Sequence, residues 1–404
     1  MSFTRRSLLA TAGATLAATA TRPVFAAGVT PIRIGEINSY SAIPAFTLPY
    51  RKGMELAVAE INAAGGVLGR PLELLVRDDA GKPDDTLRLA AELVGEQKVD
   101  VLAGGYLSNV GLALSDYALQ NKRLFIAGEP LTDALVWAKG NRYTYRLRPS
   151  TYMQALMLVE EAAKLPAKTW ATVAPNYEYG TSTVKWFKQL LSARRPDVKF
   201  VADQLPPLGK IDAGAVVAAI EQAKPQAIFN VTFGADLTNF VRQGNTRGLF
   251  DGRAVVSVLS GEPEYLDALG DEAPSNWIVT GYPVVGVTDK ANTDFINAYK
   301  AKFNETPKMG SVVGYSLIKS IAAGITKSKS TNQEAMADGF AGAHFATPFG
   351  DAMWRPQDHQ STLGTYVGRT ALKDGHGVMV NWRYVDGASA LPSDDVVKTL
   401  RPAG

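Results

Sequence analysis

Short strand-like runs alternate with amphipathic helical patterns along most of this chain, beginning at Pro31. A chain in this order folds into a parallel sheet with helices on both faces. The first helical pattern repeats apolar residues at i, i+3, i+4 and i+7, namely Met54, Ala57, Val58 and Ile61. The elements of this first block are predicted over residues 32–37 (strand), 49–63 (helix), 72–77 (strand), 84–97 (helix), 99–103 (strand) and 110–120 (helix).

The same alternation resumes after Arg148 and Pro149, so the sequence predicts a second α/β lobe. The further strands are predicted over residues 169–174, 199–203, 227–231, 254–259 and 277–282, the further helices over 181–193, 213–223, 237–244, 293–303, 312–323 and 332–340, and an antiparallel tail over 365–368 and 378–384. Because no low-complexity linker separates the blocks, we expect ordered crossovers between the lobes.

Residues 1–26 have the order of an export signal peptide, with a charged start, a mildly apolar middle and a small-residue exit. The letters T-R-R-x-L-L at residues 4–9 are typical of a twin-arginine signal, with a Sec signal as the alternative. A membrane anchor needs about 20 strongly apolar residues, more than this threonine-rich run supplies. With cleavage after Ala26 and no cysteine for lipid attachment, we expect a soluble periplasmic protein that is not a lipoprotein.

The charge balance argues against nucleic acid and anionic membranes as partners. The chain has 42 Lys and Arg against 39 Asp and Glu, and loss of Arg5, Arg6 and Arg22 with the signal makes the two counts equal. A neutral chain without a block of like charges lacks the basic patch that such partners need. Since there is no cysteine and there are three histidines, we expect no metal site and no cofactor.

The common catalytic motifs are absent from the sequence, so we expect a protein that is not an enzyme. There is no G-x-S-x-G elbow, no phosphate loop, no G-x-G-x-x-G and no H-E-x-x-H. The acidic pairs at residues 78–79 and 84–85 fit either a cation site or a strand end and a helix cap. Likewise, Asp358-His359-Gln360 fits either part of a catalytic triad or a hydrogen-bonded structural histidine.

Several stretches, in order and at matching intervals, resemble one family: the type I periplasmic solute-binding proteins of ABC transporters, in the leucine/isoleucine/valine-binding group. The matching stretches are I-R-I-G at residues 32–35, A-V-A-E-I-N-A-A-G-G-V-L-G-R-P at 57–71, R-D-D at 77–79, Y-G at 179–180, G-L at 248–249 and T-P-F-G at 347–350. The resemblance implies two doubly wound α/β lobes joined by three crossovers, with one solute bound in the cleft between them.

The resemblance also sets the expected boundaries and partners. The crossovers are expected near residues 145–149, 279–283 and 347–353, the N-terminal lobe over 27–147 with 280–347, and the C-terminal lobe over 148–279 with 348–404. Hinge closure would bury the solute, and an ABC permease in the inner membrane would receive it from a monomeric binding protein.

Candidate cleft residues in the N-terminal lobe follow its strands. The loop over residues 38–47 carries Tyr40, Ser41 and Phe46, and the resemblance implies that Phe46 covers the ligand. Tyr106, Ser108 and Asn109 follow the third strand, where the family holds a ligand carboxylate at a helix start. Packing and helix capping are the alternative roles for these loop residues.

At the fourth strand this chain departs from the family pattern. Glu129 and Leu131 stand where the amino-acid binders have a small-residue turn with a threonine. In the C-terminal lobe, Tyr179, Phe233 and Glu262 fall near the family's ligand-contacting positions. The resemblance implies that Glu262 pairs with a ligand ammonium group, and a solvated loop acid is the alternative.

Aromatic rings dominate the candidate cleft and favour a flat or apolar ligand body. The rings are those of Tyr40, Phe46, Tyr106, Tyr179, Phe233 and Tyr282. Glu129 and Glu262 together argue for a ligand with a donor or positive group, so amino acids, aromatic carboxylates and amides all stay candidates. The sequence favours the binding component of an importer, with a ligand-sensing receptor domain and an exported enzyme as alternatives.

Overall fold

A five-stranded parallel sheet organises the first lobe in the computed structural model, which describes residue 25 and residues 28–401. The predicted signal peptide therefore lies, apart from Phe25, outside the described residues. The sheet has the order β2-β1-β3-β4-β5, and all of its strands are parallel. In chain order the elements are β1 (Ile32–Asn38), α1 (Pro44–Ala63), β2 (Leu72–Asp78), α2 (Pro83–Gly95), β3 (Val101–Gly104), α3 (Ser108–Asn121), β4 (Phe125–Ala127) and β5 (Thr144–Arg146).

The second lobe repeats this winding after the first crossover. Its central strands have the order β7-β6-β8-β9-β10, which is the same 2-1-3-4-5 arrangement, and they too are parallel. The elements are α4 (Thr151–Ala162), β6 (Thr169–Val173), α5 (Glu178–Arg194), β7 (Lys199–Gln204), α6 (Ala213–Ala223), β8 (Ala227–Asn230), α7 (Gly234–Arg247), β9 (Ala254–Gly261), α8 (Pro263–Leu269) and β10 (Ile278–Gly281).

The chain then returns to the first lobe, crosses a third time, and completes the second sheet. Helix α10 packs along α1, and the antiparallel pair β13 and β14 extends the second sheet from β10. These last elements are α9 (Lys290–Phe303), α10 (Met309–Ser328), α11 (Gln333–Gly339), β11 (His344–Thr347), β12 (Gly350–Met353), β13 (Thr365–Lys373), β14 (His376–Val385) and α12 (Asp394–Leu400). The two-lobed α/β fold predicted from the sequence is thus confirmed.

The predicted lobe boundaries stay a prediction, and sheet membership offers a way to draw them. Strand β10 pairs with β9 through Gly281, so the second crossing follows that residue. The hairpin of β11 and β12 packs on α10 in the first lobe, so the third crossing follows Met353.

Helix α1 begins earlier than the sequence predicted. The expected start was residue 49, but the helix starts at Pro44, whose fixed φ suits the first helical position and whose missing N–H costs nothing there. Phe46 therefore lies in the first turn of a helix instead of a loop. A glycine contact fixes that turn against α10, because a Cβ on Gly310 would lie 2.4 Å from the Phe46 carbonyl oxygen.

Helix α10 is long and apolar enough by composition to cross a membrane. However, 72% of its apolar window is buried within the protein, as expected of a core helix in a soluble lobe. Its partner is α1, whose Tyr50 carbonyl oxygen would lie 2.0 Å from a Cβ on Gly314. The close approach of these two helices holds Phe46 and Tyr50 in the core.

The first and third crossovers run side by side and are joined by buried polar contacts. Arg146 Nε donates to Gln360 Oε1 at 2.5 Å, and Gln360 Nε2 donates to the Arg148 carbonyl oxygen at 3.0 Å. His359 stacks on the Tyr145 ring at 4.0 Å, and its Nδ1 lies 3.1 Å from the Thr144 carbonyl oxygen. Burial lowers the pKa of His359 to about 4, so this histidine is neutral and supports the crossover.

Candidate ligand-binding site

A cavity lies between the lobes at the carboxyl ends of their strands, where doubly wound sheets bind ligands. Its volume is about 20 Å³, close to the space of one water molecule, so the lobes are closed on it in this conformation. The lining residues are Tyr106, Ser108, Glu129, Leu131, Arg148, Tyr177, Tyr179, Phe233 and Leu259. Both lobes and the first crossover therefore contribute to its wall.

The lining residues stand where they do because each closely follows, or ends, a buried strand. In the first lobe, Tyr106 and Ser108 come after β3, and Glu129 comes after β4. In the second lobe, Tyr179 follows β6 and Phe233 follows β8. Parallel strands end at the same sheet edge, so the closed lobes bring the two sets face to face.

Arg148 lies at the centre of this site, between two carboxylates. Its Nη1 donates to Glu129 Oε2 at 2.9 Å, and its Nη2 donates to Glu262 Oε1. The three side chains are at most 3% exposed. Glu129 belongs to the first lobe and Glu262 to the second, so one guanidinium joins both lobes.

Burial sets the electrostatics of this cluster. It raises the pKa of Glu129 to about 7 and the pKa of Glu262 to about 7, while Arg148 opposes both shifts. The two carboxylates in turn outweigh burial for the guanidinium and hold the pKa of Arg148 well above its usual value. The arginine therefore stays charged, whereas the carboxylates titrate near neutral pH.

Several polar atoms of this cluster have no hydrogen-bond partner among the described residues. A buried polar atom without a partner costs about 1–3 kcal/mol, which makes such a set unusual in a core. The unpartnered atoms are Glu129 Oε1, Glu262 Oε2, Arg148 Nε and the Tyr179 hydroxyl. They leave the site with acceptors and donors that a polar solute can satisfy.

Aromatic side chains surround the charged cluster. The Tyr106 ring lies 5.5 Å from Phe46 and 6.3 Å from Phe233, and the Phe233 ring lies 5.7 Å from Tyr179. The Arg148 guanidinium lies 5.5 Å from the centre of the Phe46 ring. Such rings offer a large contact area to a flat or apolar body.

Some residues predicted for the cleft lie elsewhere. Ser41 and Asn109 are exposed on the surface and do not line the cavity. Phe46 and Glu262 are not lining residues either, but they are buried and contact two that are, Tyr106 and Arg148. Tyr40 turns into the first lobe, where its hydroxyl donates to Glu36 Oε2 at 2.7 Å. Tyr282 is held in the second crossover by its hydrogen bond to Asn292 at 2.6 Å.

Three lining residues were missed by the sequence reasoning: Arg148, Tyr177 and Leu259. The signal for Arg148 was present, because two isolated acids next to prolines and glycines, Glu129 and Glu262, need a cation if they are buried. Leu259 has a φ of +65°, which leucine rarely adopts, and its N–H donates to Thr280 Oγ1 at 2.9 Å. No sequence pattern indicated that turn.

Two lobes closing on one polar cavity define a class of solute-binding protein. Residues 31–376 match the family model described as periplasmic binding protein, and this chain belongs to that family. The Leu/Ile/Val-binding protein homolog 7 of Brucella melitensis is 27% identical over 299 residues, which cover 69% of this chain and 72% of the relative.

Further relatives carry the names of amino-acid and aromatic-acid binders. The leucine-, isoleucine-, valine-, threonine- and alanine-binding protein of Pseudomonas aeruginosa is 24% identical and covers 74% of this chain and 79% of its own length. A solute-binding protein of an ABC transporter from Rhodopseudomonas palustris BisB5, solved with 3,4-dihydroxybenzoic acid, has a TM-score of 0.79 at 24% identity. The alignment covers 88% of this chain and 98% of that one. A second R. palustris protein, solved with 4-hydroxybenzoate, has a TM-score of 0.79 at 20% identity and covers 88% of this chain and 96% of its own.

Proposed function

We propose that this protein is the substrate-binding component of an ABC importer. It binds a small solute with an aromatic or apolar body between its lobes and delivers that solute to an inner-membrane permease as a monomer. The observation that carries the proposal is the cavity at the strand ends, whose wall comes from both lobes and from Arg148 in the crossover. The amino-acid and aromatic-acid binders among the relatives support a solute of this size and kind.

The proposed binding residues divide by chemistry. Phe46, Tyr106 and Phe233 pack against the body of the solute, and Leu131 adds an apolar wall. Glu129, Glu262, Ser108 and the Tyr179 hydroxyl take its polar groups.

Opening of the lobes is required for entry, because the closed cavity has room for about one water molecule. The hinge is the pair of neighbouring crossovers around Arg146 and Gln360. A solute that contacts both lobes stabilises a closed form in which its body holds the lobes slightly further apart, in preference to the open form, and shifts the population toward it. The closed form is then the state that a permease recognises.

A thermal-shift screen of residues 27–404 tests the proposal with amino acids, aromatic carboxylates, small amides and polyamines. A solute at about 100 times its dissociation constant adds roughly 2.7 kcal/mol of stability. We expect at least one class to raise Tm, and Phe233→Ala to abolish that shift. Phe303→Ala, at the carboxyl end of α9 and not among the residues that line the cavity, is the matched control and should keep it. A folded protein that no compound stabilises would contradict the proposal.

Export by the twin-arginine route is part of the same proposal and rests on residues 1–26. Replacing Arg5 and Arg6 together by lysine should leave the precursor in the cytoplasm. Cell fractionation measures this, and continued export of the double variant would favour a Sec signal.

A further inference from the structure

The cation in the cavity is already neutralised by the protein itself. Both terminal nitrogens of Arg148 donate to carboxylates, one to Glu129 and one to Glu262. Arg148 is also the one cationic side chain among the lining residues. One guanidinium and two carboxylates leave this cluster with a net negative charge when all three are ionised.

The atoms left for a solute are mostly acceptors. Glu129 and Glu262 each keep one carboxylate oxygen without a partner among the described residues, whereas Arg148 keeps only its Nε. A further carboxylate, Glu264, lies close enough to act on Glu262. Its own oxygens accept from the backbone nitrogens of Met309 at 3.3 Å and Gly310 at 2.7 Å, so they are occupied.

We propose that this cavity selects its solute through a nitrogen-bearing donor group, an ammonium or an amide, and rejects solutes whose only polar anchor is a carboxylate. Arg148 acts as an internal counter-ion that positions Glu129 and Glu262 for that donor. Amino acids meet the condition through their ammonium group, and benzoates do not. This inference rests on the proposed function and narrows it to one class of solute.

The physical reason is the negative charge of Glu129 and Glu262 beside Arg148, the group to which a carboxylate solute would bind. A carboxylate that reaches for Arg148 must displace Glu129 or Glu262 and then lie beside two like charges in a buried site. An ammonium or amide group instead satisfies the two free carboxylate oxygens without breaking either contact to Arg148. The same cluster therefore attracts one class of solute and repels the other.

Lowering the pH should weaken the preference of the site for ammonium solutes over carboxylate solutes. Glu129 and Glu262 have a pKa of about 7, so they gain protons and lose charge as pH falls from 8 to 6. A carboxylate solute should bind better at the lower pH, and an ammonium solute should bind worse. The other titratable groups that face them are Glu264, whose pKa is about 8, and the hydroxyls of Tyr50, Tyr106, Tyr179 and Tyr265, whose pKa values burial raises so that they stay neutral.

Titration calorimetry with probes of one ring and different polar groups tests the inference. The probes are benzylamine, benzamide, phenylalanine and benzoate, each measured at pH 8 and pH 6. In the unsubstituted protein at pH 8, we expect benzoate to bind at least about tenfold more weakly than the best nitrogen-bearing probe, a difference of about 1.4 kcal/mol.

A double variant should reverse the order of affinities between benzoate and the nitrogen-bearing probes. Glu129→Gln with Glu262→Gln removes both negative charges and frees Arg148 for a carboxylate, so benzoate should gain about tenfold and benzylamine should lose as much. The single variants serve the same purpose if circular dichroism shows that the double variant does not fold. Glu96→Gln, at the exposed end of α2, is the matched control and should change nothing.

The outcomes separate this inference from the proposed function. Tight benzoate binding by the unsubstituted protein at pH 8, unchanged in the double variant, overturns the inference and leaves a solute-binding protein. Binding of a nitrogen-bearing probe that is insensitive to both substitutions also overturns it. If no probe and no compound of the wider panel binds the folded protein, the proposed function fails as well.

Discussion

Arg146 and Arg148 are two residues apart in the first crossover, both side chains are buried, and their partners differ. Arg146 donates to neutral acceptors: Gln360 Oε1 and the carbonyl oxygens of Leu131 and Thr132. Arg148 donates to the carboxylates of Glu129 and Glu262. Burial lowers the pKa of Arg146 to about 10, whereas the two carboxylates hold the pKa of Arg148 above its usual value.

This difference in partners distinguishes a structural arginine, Arg146, from an arginine of the binding site, Arg148. Neutral acceptors do not change with pH, so Arg146 joins the first and third crossovers under all ordinary conditions. The carboxylates around Arg148 titrate near neutral pH and keep free oxygens, as suits a group that meets a solute.

The largest expected effect on stability comes from removing the Arg146 side chain. Arg146→Ala leaves the acceptors on Gln360, Leu131 and Thr132 without their donor and opens a cavity, so the free energy of unfolding should fall by about 3–4 kcal/mol. Urea unfolding measures this loss. The exposed Arg383→Ala is the control, and a loss below about 0.5 kcal/mol for Arg146→Ala would remove the distinction between the two arginines.

Removing Arg148 should cost less and should depend on pH. In Arg148→Met the carboxylates of Glu129 and Glu262 lose their counter-ion, but at low pH they take up protons and become neutral. We expect a loss of about 3 kcal/mol at pH 8 and a smaller one at pH 5. Unfolding curves at both pH values measure the difference, and an equal loss at the two would contradict the titration of this cluster.

The opposite pH dependence is expected beside Arg146, where His359 is buried. Its pKa of about 4 lies below the unfolded value of 6.5, so the unfolded chain binds more protons and stability falls as pH decreases from about 6.5 to 4. His359→Phe keeps a ring on Tyr145 but cannot take up a proton. Between pH 7 and 4.5 we expect the variant to lose about 1–2 kcal/mol less than the unsubstituted protein, and parallel pH profiles would argue against this assignment.

The smallest effect is expected at the two surface residues that the sequence had placed in the cleft. Ser41→Ala and Asn109→Ala remove exposed groups, so stability should change by less than about 0.5 kcal/mol and solute affinity should not change. Calorimetry with the best solute checks this. A tenfold loss of affinity in either variant would return that residue to the binding site.

The order of elements was predictable because helices and strands carry their own periodicity, as α1 does with Met54 and Ala57 on its buried face. The site was predictable only in part. Glu129, Tyr179 and Phe233 follow strands, and a strand end is visible in the sequence. Buried acids at Glu129 and Glu262 would have indicated the need for a cation, but the choice of Arg148 was not visible, because its burial depends on a contact with Glu262, 114 residues away, which no local pattern records.

The three crossovers also impose an order on folding. Arg146 bonds to Gln360, which lies 214 residues later in the chain, and α1 packs against α10. The core of the first lobe therefore cannot form completely when only the strands of its sheet have been synthesised. When only residues 1–300 have left the ribosome, the face of α1 that packs on α10 is exposed and Arg146 lacks Gln360. Such a partly folded chain is prone to aggregation and is a substrate for chaperones. Completion of the fold therefore depends on the last hundred residues of the chain.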